Sequence, residues 1–159
     1  MNIYEFAMQM ERDGEAFYRD LAAKSSSAGV ARILNMLAAD EVKHYDILKQ
    51  MAEQSNPEMA QTTILLDAKN VFTQMQGTEF DLEGIQVDLY RKAQDIERQT
   101  QDFYEDKAGQ ATEPAQRALL LKIADEEKRH YFLLDSIIEF LDRPRTWLED
   151  AEFTHLDEY

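Results

Sequence analysis

The 159-residue chain contains no cysteine. That excludes disulfides, thiolate zinc sites, iron–sulfur clusters and any four-cysteine iron centre within these residues. Glycine and proline are scarce, at five and three, so few breakers interrupt a helical pattern. Basic residues are outnumbered, 17 Lys and Arg against 32 Asp and Glu, for a net charge of −15. A nucleic-acid surface needs clustered Lys and Arg, and this balance argues against one; the acids read mainly as a solvated surface. No stretch approaches the roughly 20 apolar residues that span a bilayer. The N-terminus MNIYEFAMQMERDGE carries acids from its fifth residue and has neither a basic n-region nor an apolar run. It is not a secretory signal, and a cytoplasmic location is expected.

Ala, Leu, Met, Glu, Gln and Lys dominate instead, with helical periodicity nearly throughout. The length suits one domain with a hydrophobic core of its own. The first helix is predicted to start at the N-cap Asn2, with Glu5 three residues on, and to run to about Lys24, where Ser25, Ser26 and Ser27 break it. The second runs from about Ala28 to Gln54, before Asn56-Pro57. The third spans about Leu82 to Lys107, near Gly109. The fourth follows the cap Thr112, takes Pro114 in its first turn and ends before Pro144. Residues 55–81 are the one long interruption, within which ILLDAKNVFTQM, 64–75, could add a short helix. Two short hairpins joined by one long crossover between helices 2 and 3 predict an all-α, ferritin-like four-helix bundle over residues 1–142. A tail, 143–159, is expected to pack on the bundle or on a partner subunit.

The two hairpins repeat each other at a constant offset of 86 residues. Met10-Glu11-Arg12 matches Ile96-Glu97-Arg98, and Phe17-Tyr18 matches Phe103-Tyr104. Leu34, Leu37, Glu41, His44, Tyr45 and Leu48 match Leu120, Ile123, Glu127, His130, Tyr131 and Leu134. Shared apolar spacing alone would be unremarkable between two hairpins, but shared Glu, Glu and His at one offset points to an internal duplication. The polar residues lie on the core seams. Leu120, Ile123, Glu127, His130, Leu134, Ile137 and Leu141 alternate in steps of three and four, the spacing of a buried stripe. Leu34, Leu37, Glu41, His44, Leu48 and Met51 do the same. Glu11 lies on a line with Ala7, Gly14 and Tyr18, and Glu97 on a line with Ala93, Thr100 and Tyr104. The arms from each helix-1 or helix-3 Glu to its hairpin turn and back to the Glu of the next helix are nearly equal, so all four Glu are predicted to share one level near mid-bundle.

Four carboxylates and two imidazoles in a dry layer cannot remain charged and unpaired. No Lys or Arg lies on the inward seams. Two divalent cations would balance them, with Glu11, Glu41, Glu97 and Glu127 as oxygen ligands and His44 and His130 as nitrogen ligands. A sulfur-free oxygen and imidazole set suits iron, with manganese as the alternative. A single Glu-x-x-His on a helix is ordinarily a surface pair; two in register with two further seam Glu are not. Tyr18 and Tyr104 are expected as packing and hydrogen-bonding neighbours. Asp40 and Glu126 each precede a ligand Glu: they either hold the opposite His by its other ring nitrogen or are exposed helix acids. Glu126 could itself be a ligand at i,i+4 to His130, although the repeat register favours Glu127. His155 reads as a surface residue.

The segments MERDGEAFY, DEVKHY, IERQTQDFY and EEKRHY, with the tail WLEDAEF, resemble the rubrerythrin-like branch of the ferritin-like superfamily. The resemblance covers nearly the whole chain. It implies a four-helix bundle, usually dimeric, with a carboxylate-bridged pair of iron ions. Glu41 and Glu127 would bridge, Glu11 and Glu97 would be terminal ligands, and His44 and His130 would each hold one metal. It also implies an oxidoreductase that reduces peroxide or dioxygen with electrons from a separate donor protein. The alternative is an iron-binding or ferroxidase protein for sequestration or delivery. The chain departs from rubrerythrins proper in two places. It has no Cys-rich rubredoxin domain, and Thr100 stands where they carry a further Glu.

Overall fold

A computed structural model describes residues 2–53 and 84–142. The predicted crossover with its segment 64–75, the tail and His155 lie outside the described residues. Four helices make up what is described: α1 (Ile3–Lys24), α2 (Ala28–Ala52), α3 (Gly84–Gln110) and α4 (Pro114–Asp142). The Asn2 side chain accepts from the Glu5 backbone N–H at 2.9 Å, satisfying one of the orphan donors of the first turn of α1. Ser27 caps α2 in the same way, accepting from Val30 N–H at 3.2 Å. These caps form where the sequence places polar residues before an apolar period.

Three helix ends differ from expectation: α2 stops at Ala52, with Glu53 as its C-cap, short of the expected Gln54. The third helix was predicted to stop near Lys107, yet α3 continues through Gly109 to Gln110. A Cβ at Gly109 would meet nothing within 4 Å, so the glycine sits in an open helical position and does not end the helix. The fourth helix starts at Pro114 itself, and the Glu113 carbonyl accepts its first helical bond, from Arg117 N–H at 3.0 Å. The cap position is therefore Glu113 and not Thr112, with proline at the first helical residue, where its missing N–H costs nothing. The α3 and α4 ends obey the repeat: Lys24 and Gln110, like Ala28 and Pro114, are 86 apart.

α1 packs along α2, and α3 along α4, as antiparallel hairpins. Two apolar clusters fill the bundle. One gathers Leu21, Val30, Leu34, Leu37, Tyr90, Leu134, Ile137 and their neighbours at the end holding the α1–α2 turn. The other gathers Ala7, Leu48, Met51, Tyr104, Leu120 and Ile123 at the opposite end. Truncating any one of these buried Leu or Ile residues to Ala would cost about 2–5 kcal/mol. α2 finishes in the second cluster, whereas α3 starts beside the first. Consecutive helices α2 and α3 thus begin and end at opposite ends of the bundle, the connectivity of a ferritin-like fold. Between the two clusters lies a layer of polar side chains. No described helix is long and apolar enough to cross a membrane.

Candidate metal centre

Helical periodicity delivers each polar residue of this layer to the interior. Glu41 and His44 are three apart on α2, and Glu127 and His130 three apart on α4, so each pair projects from one face over successive turns. Glu11 comes from α1 and Glu97 from α3. All six are buried, none more than 4% exposed. Their ligand-capable atoms fall into two groups: Glu11, Glu41, His44 and Glu127, and Glu41, Glu97, Glu127 and His130. Within each group one oxygen or nitrogen per residue lies within 4.8 Å of the others. Glu41 and Glu127 belong to both groups, and one outer Glu and one His belong to each.

The histidines face inward through Nδ1. His44 Nδ1 is 2.9 Å from Glu127 Oε1 and 3.6 Å from Glu11 Oε1. His130 Nδ1 is 3.1 Å from Glu41 Oε1 and 3.4 Å from Glu97 Oε1. Each Nε2 points the other way, to an acid of the opposite hairpin: His44 to Glu126 at 2.7 Å, His130 to Asp40 at 2.9 Å. An Nε2–H held by a carboxylate leaves Nδ1 as the lone-pair nitrogen once the ring is neutral, which is how a metal-binding imidazole is usually oriented. Glu126 also receives Lys43 Nζ, at 2.8 Å from Oε1, and belongs to neither ligand group. The two imidazole rings lie nearly parallel with centroids 5.9 Å apart.

The outer glutamates are tied to tyrosines across the bundle. Tyr104 donates to Glu11 Oε1 at 2.6 Å, and Tyr18 donates to Glu97 Oε1. Gly14 and Thr100 occupy matching places in the repeat and do different things. A Cβ at Gly14 would sit 2.9 Å from Glu41 Oε2, so the bare Cα makes room for that carboxylate. The Thr100 hydroxyl lies 3.0 Å from the Glu97 carbonyl and 3.2 Å from Glu127 Oε2.

Among the described residues, five buried side-chain atoms lack a hydrogen-bond partner: Glu11 Oε2, Glu41 Oε1, His44 Nδ1, Glu97 Oε2 and Glu127 Oε1. His44 Nδ1 and Glu127 Oε1 are close yet not aligned as donor and acceptor, so both aim at shared space instead of at each other. Orphaned acceptors are rare in cores because each costs about 1–3 kcal/mol. Two carboxylates at these separations repel by roughly 3–4 kcal/mol even at an effective dielectric of 20. Without cations the layer must hold protons. Burial pushes Glu41 well above the usual carboxylate range, helped by the charges of Glu11, Glu127 and Glu97. Burial and the Glu127 charge raise Glu97 to about 8 against the opposing pull of His130. Burial alone would lower both histidines, but their carboxylate partners outweigh it and hold them well above the ordinary imidazole value. Glu11 is lowered despite its burial, through hydrogen bonds with Glu41 and Tyr104 and the charge of His44. Two divalent cations could take the place of those protons, and the converging oxygen and nitrogen atoms are the donors that iron or manganese accepts.

The structure therefore gathers all six candidates in one layer, puts Tyr18, Tyr104, Asp40 and Glu126 against them, and keeps Glu126 out of the ligand groups. Lys43 and Gly14 were not foreseen in the parts they play. Lys43 had a signal, since it precedes His44 within DEVKHY and could be placed toward the acid before Glu127 once the helices were paired. Gly14 lies on the sequence line of Glu11, yet the room it leaves serves Glu41 on the neighbouring helix. A family model described as Rubrerythrin matches residues 2–138. No curated protein and no solved structure matches the chain.

Proposed function

The chain belongs to the rubrerythrin family, a family of ferritin-like di-iron carboxylate proteins, and from that premise we propose that it reduces peroxide or dioxygen with electrons from a separate donor protein. The observation that carries this reading is the pair of four-residue groups sharing Glu41 and Glu127. Glu41 and Glu127 would bridge two iron ions; Glu11 with His44, and Glu97 with His130, would complete one position each. When bound, such a pair supplies two electrons to an O–O bond and an open coordination position for it.

The chain's own residues do the rest. Tyr104 and Tyr18 hold the outer carboxylates by their Oε1 atoms and leave each Oε2 buried without a hydrogen-bond partner. Glu126 and Asp40 keep both imidazoles turned with Nδ1 inward. The apolar clusters on either side exclude bulk water, which strengthens every charge interaction in the layer. The raised pKa values of Glu41, Glu97 and both histidines belong to the metal-free layer, so cation binding must release protons from it.

The test is to load the chain with Fe(II) without air, count the iron, and add hydrogen peroxide. About two irons per chain and oxidation faster than that of free Fe(II) are expected. Loading well beyond two per chain would turn the reading toward iron storage, and oxidation no faster than free Fe(II) would sink it.

A further inference from the structure

A cavity of about 530 Å³ opens between α1 and α3 and reaches the polar layer. Its outer walls are mainly apolar, with Phe6, Met10 and Phe17 on α1 and Ile96 and Phe103 on α3, and the exposed Asp13, Lys92 and Gln99 also border it. Phe6 is 48% exposed and Ile96 37%, so the apolar lining continues to the mouth. Its inner end is polar: Glu41, Glu97 and Glu127 line it with Tyr18 and Thr100. At this end Glu41 Oε2 is the atom nearest to where a Gly14 Cβ would lie, and Glu127 Oε2 lies 3.2 Å from the Thr100 hydroxyl. Glu11, His44 and His130 do not line the cavity. The opening thus meets the layer on the side of Glu97, beside the two shared carboxylates.

Hydrogen peroxide and dioxygen are little larger than a water molecule, whose share of liquid volume is about 30 Å³. A cavity with five large apolar side chains is far more than either needs, and its size is in the range of about 300–1,000 Å³ found for organic ligands. Carboxylates at the inner end disfavour an anionic head there, while the apolar walls favour a hydrocarbon body. We propose that the α1–α3 cavity binds an organic hydroperoxide, with its hydrocarbon body among Phe6, Met10, Phe17, Ile96 and Phe103 and its O–OH group toward Glu97, Glu127 and the Thr100 hydroxyl. The inference rests on the peroxide-reducing reading and names its substrate class. In the reaction the O–O bond of R–O–OH breaks. Two electrons, supplied by the external donor protein, and two protons are taken up, giving R–OH and water.

The experiment uses the full chain in two forms. Metal-free protein is titrated calorimetrically with cumyl alcohol, the R–OH product of cumene hydroperoxide, which cannot be reduced further. Saturable one-to-one binding is expected, weakened about tenfold by Phe6→Asp and restored by Phe6→Leu. Phe6 is half exposed, and circular dichroism checks that each variant folds. Iron-loaded protein is then oxidised with cumene hydroperoxide and with hydrogen peroxide. Phe6→Asp should slow the organic reaction about tenfold more than the inorganic one. Absence of saturable alcohol binding, binding indifferent to Phe6→Asp, or equal slowing of both oxidants overturns the organic substrate. If hydrogen peroxide still oxidises the loaded wild type, the function proposed above survives that failure; if neither oxidant reacts, both fall.

Discussion

Compared residue for residue at their offset of 86, the α1–α2 and α3–α4 hairpins agree well beyond the ligand candidates. Phe17 meets Tyr18 edge to face at 81°, and Phe103 meets Tyr104 at 79°. The Arg12 guanidinium lies 4.6 Å from the Tyr45 ring centroid, and Arg98 lies 4.8 Å from that of Tyr131. Tyr18 and Tyr104 each reach across to the outer Glu of the other hairpin. The hairpins differ in what surrounds this shared frame. Gly14 offers Glu41 empty space where Thr100 offers Glu127 a hydroxyl. Lys43 reaches across the bundle to Glu126, while its counterpart Arg129 bonds Asp125 on its own helix at 3.1 Å. Glu126 backs one histidine and the shorter Asp40 the other. Duplication therefore accounts for the paired donor set, and the later differences make its two halves unequal. Two of them, Gly14 and Thr100, line the α1–α3 cavity, where an incoming molecule would meet the layer.

The equality of the halves breaks most sharply at the shared carboxylates. Glu41→Ala or Glu127→Ala should abolish tight binding at both positions, whereas Glu11→Ala or Glu97→Ala should spare one. Metal titration read by stoichiometry checks this, and a bridging variant that still holds two ions tightly would refute the shared assignment. The acids behind the histidines come next. Glu126→Gln and Asp40→Asn should each lower the affinity of one position about 10–100-fold, measured by competition with a chelator.

Acidity offers a third handle, one that treats the hairpins together. In the metal-free protein Glu41, Glu97 and both histidines have raised pKa values. The folded state holds those protons more tightly than the unfolded chain, so the stability they contribute is present at acidic pH and lost as pH rises through the folded values, about 8 for Glu97. Glu11 and Glu126 are lowered and act oppositely, losing their contribution only in more acidic solution. The melting temperature of metal-free protein should therefore fall by about 5 °C from mildly acidic to mildly alkaline pH. Metal affinity should rise over the same range, because cations compete with those protons. Scanning calorimetry with and without metal reads both signs. The smallest effect is expected at Thr100→Ala, a loss of about 1 kcal/mol in stability or in metal binding from one hydrogen bond. Gly14→Ala should instead gain helix propensity and lose metal affinity, since its Cβ would press on Glu41 Oε2 at 2.9 Å.

Much of this centre was legible because a helix converts sequence spacing into direction. Steps of three and four fix a face, and the arm lengths about each hairpin turn fix a height, so Glu11, Glu41, His44, Glu97, Glu127 and His130 could be assigned to one buried layer before any helix was placed. The same repeat carries the true end of α3, since Lys24 corresponds to Gln110, whereas the local signal of Gly109 points to an earlier stop. Local signals failed there because an exposed glycine costs a helix only about 1 kcal/mol, too little to stop it.

What the sequence determined by itself is the duplicated hairpin, the donor set and its level, all properties of single helices and their turns. The family resemblance, and not spacing, implied that Glu41 and Glu127 are the shared pair; tertiary structure alone decided that Nδ1 and not Nε2 faces inward, that Lys43 reaches Glu126, and that a largely apolar cavity opens between α1 and α3. Those outcomes depend on the rotation and separation of neighbouring helices and on side-chain rotamers. Spacing along a chain does not encode them, because they arise only when four helices pack around one another.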